Sequence, residues 1–180
     1  MTLGLISPEK YLYNMAHINI IVCIAQNGAI GLKGGLIYHL RADLQQFKHL
    51  TTGHTVLMGR KTYESLPKGA LPNRRNIVLT RQAGKEWSNV ETYPSMEEAL
   101  KHCDTEEEVF VMGGSSVYAE ALPYADTLYL TQVKHIPQEA DTFFPTLHME
   151  DWEEIQKEHH EVDEQNEQPF DFITLKRKKQ

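Results

Sequence analysis

Two cysteines among 180 residues, Cys23 in an apolar run and Cys103 in a polar one, provide neither a disulfide framework nor the C-x-x-C spacing of a zinc or dithiol site. Long apolar runs are absent as well. The first fourteen residues are broken by Pro8-Glu9-Lys10 and carry no signal-peptide core, and no later run approaches the ~20 residues of a membrane span. A cytoplasmic protein without membrane contact is therefore expected. Cations are in deficit, 18 Lys and Arg against 25 Asp and Glu for a formal net charge of -7, which argues against a nucleic-acid surface. There is no internal repeat and no linker of domain length. With 41% hydrophobic and 24% charged residues, the chain suits one globular domain with a real core. Residues 1–16 show no clear period and read as an N-terminal extension ahead of a domain over residues 17–180.

The scarce cations are clustered. Seven Lys or Arg against one acid, Glu64, lie between Arg60 and Lys85, whereas the stretch from Glu86 to Glu164 holds three Lys and twenty acids. A cationic segment inside an acidic chain suits a small anion better than a polyanion. Ahead of it, Ile18-Asn19-Ile20-Ile21-Val22-Cys23-Ile24 reads as a central strand buried on both faces. The glycine-rich stretch Gln26 to Gly35 then reads either as a mobile lid or as an ordinary surface loop.

From Tyr38 to Lys48 the pattern is that of an amphipathic helix, with Leu40, Asp43, Leu44 and Phe47 at i, i+3, i+4 and i+7. Asp43 thus stands on the apolar stripe. Either it meets the positive end of the helix dipole and faces water, or it is partly desolvated and held by hydrogen bonds, in which case a ligand with paired N–H donors suits it.

Thr55 to Gly59 reads as a short buried strand that passes directly into a helix at Arg60-Lys61-Thr62, an arrangement that turns backbone N–H groups toward a phosphate. The device recurs where the strand Glu108 to Met112 meets Gly113-Gly114 and the helix after Ser115. Two such turns suggest a dinucleotide. Neither is G-x-G-x-x-G, and a Walker loop is excluded because Gly53 lies six positions before Gly59 and no Gly-Lys pair follows. Further strands are expected at Asn76–Thr80 and Thr127–Val133, a capped helix at Ser95-Met96-Glu97-Glu98, and a hairpin from Trp152–His159 and Phe170–Lys176 around the acidic loop 163–168. His159-His160 has no companion ligand cluster, so solvated histidines rather than a metal site are expected there.

These segments in this order resemble dihydrofolate reductase. The resemblance rests on Ile30-Gly31, Leu40 to Leu44 with Phe47, Met58 to Ser65, Leu71-Pro72-Asn73-Arg74, Val111 to Gly114 with Tyr118, Leu128 to Thr131, and Asp141-Thr142 with Phe144-Pro145. It implies an α/β fold with an eight-stranded, mainly parallel sheet, flanking helices and a C-terminal antiparallel hairpin. The implied reaction is hydride transfer from NADPH to 7,8-dihydrofolate, which supplies tetrahydrofolate for one-carbon and thymidylate metabolism, in a monomer open to antifolate inhibitors. By the same resemblance Asp43 grips the pterin 2-amino group and N3, Thr131 supports Asp43, and Tyr38 organises a water beside them. Cys23, Leu44, Phe47, Leu66, Leu71 and Met112 line the substrate, and Arg74 pairs with its glutamate carboxylate.

The cofactor residues implied in this way are Ala25, Ile30, Gly31, Gly59, Arg60, Lys61, Thr62, Thr80, Arg81, Gly113, Gly114, Ser115, Ser116, Val117 and Tyr118. Arg60 and Arg81 are expected at the adenosine 2'-phosphate and a cis peptide at Gly113-Gly114. Two departures from the family stand at the end of the glycine-rich loop: Ile37-Tyr38 replaces Pro-Trp, and Arg41 replaces a proline. Without the proline's fixed φ, a less firmly closing lid is expected. A same-fold reductase acting on a pyrimidine or flavin precursor, and a non-catalytic pterin- or nucleotide-binding protein, are the alternatives. Asp43 with Thr131, and Arg74, argue against the first; the intact acid and glycine turns argue against the second.

Overall fold

The apolar runs read from the sequence become the central strands, and in the computed structural model ten strands are present among the described residues, 15–82 and 87–179. The expected N-terminal extension lies outside the described residues apart from Met15 and a buried Ala16. Eight strands share one sheet in the order β5-β4-β3-β6-β1-β7-β10-β9, and a two-stranded ladder joins β2 to β8. These are β1 His17–Ile24, β2 Ala29–Gly31, β3 Thr55–Gly59, β4 Arg75–Leu79, β5 Glu91–Tyr93, β6 Glu108–Val111, β7 Thr127–Val133, β8 Thr142–Phe143, β9 Trp152–His160 and β10 Phe170–Arg177. The helices are α1 Arg41–Thr51, α2 Arg60–Glu64, α3 Met96–Lys101 and α4 Ser115–Ala121.

Two compact units divide the chain. The first holds the residues up to Ile20 with Thr51–Asp126. Its strands pair in parallel, β5 with β4, β4 with β3, β3 with β6, and β6 with the start of β1. Val56, Leu57, Ile77, Val78, Val109 and Val111 are fully buried, as expected of parallel strands covered on both faces. Ser95 caps α3 as the sequence predicts, its hydroxyl accepting from the Glu98 N–H at 3.1 Å.

The second unit holds Ile21–Leu50 and Thr127–Gln180. In it β10 pairs antiparallel with both β7 and β9, the expected terminal hairpin. The sheet edge at β9 is lined with exposed charges such as Glu153, Glu154 and Glu158, which discourage pairing with another chain. Ala25, Ala29, Tyr38, Leu40, Val133 and Phe170 form its buried cluster.

One packing expectation needs correction. The helix begins at Arg41, so Tyr38 to Leu40 precede it, and the stripe is not an inward face throughout: Leu40 is 1% exposed but Leu44 is 53% exposed. Periodicity places Leu40 and Leu44 together, yet within α1 itself Thr51 is the buried residue.

Candidate active site

Asp43 sits in the first turn of α1, where the helix dipole favours a carboxylate, and the Thr131 hydroxyl of β7 donates to its Oδ1 at 2.5 Å. Burial raises the Asp43 carboxyl above its ordinary range, and the bond from Thr131 opposes that rise. The second of the two sequence readings therefore holds: the acid is partly desolvated and hydrogen-bonded. Cys23 on β1 adds to the apolar setting, since burial first, and then the Asp43 charge, hold its thiol well above the usual thiol range. A thiol so placed is held in its neutral form.

Tyr38 is 7% exposed, and its hydroxyl lies 2.8 Å from His135 Nδ1. The phenol's ionisation is pushed upward by burial, then by Cys23 and Glu167. The glycine-rich loop is held in place at several points. Ala25 N–H bonds to the Ala29 carbonyl, β2 pairs with β8, and the Phe144 N–H donates to the Gly28 carbonyl at 2.9 Å. The Lys33 N–H donates to Asp141 Oδ2 at 2.8 Å. Ile30 and Gly31 lie within this ladder, while Phe47 on α1 stays partly exposed.

In the other unit β3 runs straight into α2, and β6 into α4 by way of a cis Gly113-Gly114 peptide. The Gly59 N–H bonds to the Gly113 carbonyl at 2.9 Å, so the two turns are directly joined. A Cβ at Gly59 would come within 3.1 Å of Val117, and one at Gly113, where φ is +134°, within 3.3 Å of the Thr62 hydroxyl. The positive φ at Gly113 favours glycine, and at Gly59 the Val117 methyl would have to shift to admit a side chain. Both helices open on glycine with no side-chain cap hydrogen bond; Arg60, Lys61 and Thr62 form the first turn of one, Ser115 and Ser116 that of the other. Val117 and Tyr118 are buried behind them. Arg60 pairs loosely with Glu64 at 3.5 Å.

Thr80 follows β4, its N–H bonded to the Tyr93 carbonyl, and Arg81 is exposed. Arg74 is braced by the Pro72 carbonyl at 2.9 Å and the Thr51 hydroxyl at 3.1 Å, and burial lowers its pKa. Leu66, Leu71 and Met112 are partly buried. No cluster of three or more His, Cys, Asp or Glu able to hold a metal occurs among the described residues. His159 is instead bonded on both ring nitrogens, to Asp171 and Glu161, each at 2.7 Å.

Sequence reasoning missed two contributors. His135 is 97 positions from Tyr38, and no local pattern announces their pairing. Asn166 closes the N-terminus of α1: its Oδ1 accepts the Ala42 N–H at 3.0 Å, and Gln165 O accepts that of Arg41. The Asp163-x-x-Asn166 turn, in which Asn166 Nδ2 donates to Asp163 Oδ1 at 2.9 Å, was the visible signal of an ordered loop.

The sequence profile described as dihydrofolate reductase matches residues 17–177. A dihydrofolate reductase of Staphylococcus haemolyticus is 37% identical over 161 residues, covering 89% of this chain and 95% of that one. The type 3 dihydrofolate reductase of Salmonella typhimurium is 40% identical over 162 residues, 90% of this chain and 99% of the relative. Among solved structures, dihydrofolate reductase from Enterococcus faecalis complexed with NADP(H) and RAB-propyl superposes with a TM-score of 0.84 at 34% identity, covering 92% of this chain and 99% of that one.

Proposed function

The chain belongs to the dihydrofolate reductase family, and on that footing we propose how its own residues divide the NADPH-dependent reduction of 7,8-dihydrofolate to 5,6,7,8-tetrahydrofolate. NADPH, when bound, supplies the hydride. The chain supplies position and field. Asp43 accepts the paired N–H donors of the pterin, and its negative charge raises the basicity of N5, to which water brings the proton. Thr131, donating to one oxygen, orients the carboxylate and leaves the other lone pairs for the ligand.

The uncapped starts of α2 and α4 suit a dinucleotide's phosphates, with Lys61 and Thr62 adding charge and a hydroxyl. Arg60 and Arg81 take the 2'-phosphate. Arg74, its guanidinium plane braced from two sides, takes the glutamate carboxylate of the substrate in a two-pronged contact that a lysine cannot reproduce. Leu44 and Phe47 present apolar surface to the benzoyl ring. The same reading makes the protein a cytoplasmic monomer, with small molecules rather than nucleic acid as partners; sedimentation at the mass of one 20.7 kDa chain checks the monomer.

The bond between Thr131 and the partly desolvated Asp43 carries this reading. Its test is the fall in NADPH absorbance when dihydrofolate is added. Oxidation that requires dihydrofolate is expected; NADPH consumption indifferent to it would overturn the reading.

A further inference from the structure

We infer that His135 is a positioning residue for the reaction, clasping both ends of the loop from Gln26 to Tyr38 and fixing the Tyr38 hydroxyl. The inference rests on the reading of Asp43, Thr131 and Tyr38 as the pterin end of the site. At the loop's start, the Gln26 N–H donates to the His135 carbonyl at 3.1 Å. At its end, the Tyr38 hydroxyl lies 2.8 Å from His135 Nδ1 and 3.4 Å from the same residue's carbonyl. The two rings also meet edge to face, 5.6 Å between centroids at 83°. One residue thus holds two points of the chain that are twelve positions apart.

The need for such a clasp is written in the loop. Gly28, Lys33 and Gly34 all adopt positive φ, and Ile37 does not restrict the backbone as a proline would. His135 lies two residues beyond the end of β7, four after Thr131. The strand that orients Asp43 through Thr131 therefore also fixes the loop end through His135, and the loop and the acid share one frame of reference.

The clasp is compatible with either ring tautomer. With the proton on Nε2 only, the hydroxyl donates to Nδ1. With Nδ1 protonated, the ring donates to the phenol oxygen and the hydroxyl hydrogen turns to the carbonyl. Either way the hydroxyl stays with His135, so Tyr38 acts on the site by holding its shape and not as a proton donor.

The test is a double-mutant cycle of Tyr38→Phe and His135→Leu, read in the Michaelis constant for dihydrofolate, in single-turnover hydride transfer and in the 15N resonance of His135 Nδ1. Each single change should raise the Michaelis constant roughly fivefold, the worth of one partly buried hydrogen bond, with a smaller effect on the hydride step. The double change should be no worse than either. His135→Asn, whose amide reaches the Nδ1 position, should recover most of the loss, and Tyr38→Phe should move the Nδ1 resonance. Additive effects, no recovery in His135→Asn, or an unmoved resonance would overturn the clasp. The resonance is read without turnover, so a failed reduction assay with a shifted Nδ1 counts against the site reading and leaves the clasp standing.

Discussion

A carboxylate whose pKa is raised in the folded protein costs stability wherever it is ionised. For Asp43, burial makes the native state bind its proton more tightly than the unfolded chain does, so this residue's contribution to stability falls as pH rises through the carboxylate range. Asp43→Asn keeps the shape and can still accept from Thr131, and it removes the charge. Thermal unfolding should therefore show the variant melting above wild type at neutral pH, with the gap closing as pH falls below the ordinary carboxylate range. A lower melting point at neutral pH would mean that the charge is stabilised by something other than Thr131. Arg74→Lys belongs to the same scale: the Michaelis constant for dihydrofolate should rise on the order of tenfold while turnover changes little, because the glutamate tail is remote from the reacting ring. Equal losses in both constants would place Arg74 closer to the chemistry.

Among the elements, α1 matters most because its first turn carries Asp43. The residue before it, Leu40, has no side-chain acceptor, so the cap comes from Asn166 in the loop between β9 and β10. Asn166→Ala should cost at least about 1 kcal/mol, the usual worth of an N-cap, in denaturant unfolding, and Asn166→Asp should not recover it, since it loses the amide donated to Asp163 and sets two carboxylates together. An Asn166→Ala variant as stable as wild type would show the cap to be idle. Arg75 on β4 is the corresponding tie in the parallel half. It forks onto Glu91 of β5 at 2.6 and 2.8 Å and reaches Glu107 at 2.8 Å.

The Arg75 bond holds the Glu91 carboxyl below its ordinary range. Burial pushes Glu107 up, but Thr55, the Asp104 amide and Arg75 outweigh it, and Glu107 also ends low. Stability from these two acids is fully present above the unfolded carboxylate pKa and is lost as pH falls from there through their lower native values. Wild type should lose melting temperature on acidification more steeply than Arg75→Leu; parallel slopes would show the tie to be idle.

Long elements were legible because Ile18 to Ile24 or Thr127 to Val133 carry enough residues to display a pattern. The two- and three-residue strands β2, β5 and β8 were not, since so few residues define no period and their pairing is set by distant backbone. Leu44 misled for a related reason: a helical stripe says which residues share a face, not how much of that face is covered.

At the scale of the whole molecule, a net charge of -7 would repel an anionic cofactor, and the cationic stretch from Arg60 to Arg81 answers it locally. Neutralising Arg60 and Arg81 together should erase at least about tenfold of a preference for NADPH over NADH, given roughly 1.5 to 3 kcal/mol for each charge-assisted hydrogen bond. Undiminished discrimination would put the 2'-phosphate elsewhere. The glycine turns could be read from the sequence because strand, glycine and helix start are neighbours in the chain, whereas spacing alone left Asp43 open between a solvent-facing and a desolvated acid. The pairing of Tyr38 with His135 and the capping of α1 by Asn166 could not be read, because both join residues about a hundred positions apart.

Catalysis through the charge of Asp43 is tested most directly by single-turnover hydride transfer from saturating NADPH, measured for wild type and Asp43→Asn across a pH series. The variant should bind NADPH nearly as wild type does and lose on the order of 100-fold or more in the hydride step at neutral pH, with the deficit shrinking as pH falls and solvent protonates N5 unaided. A variant that transfers hydride at the wild-type rate at neutral pH would contradict the role given to Asp43.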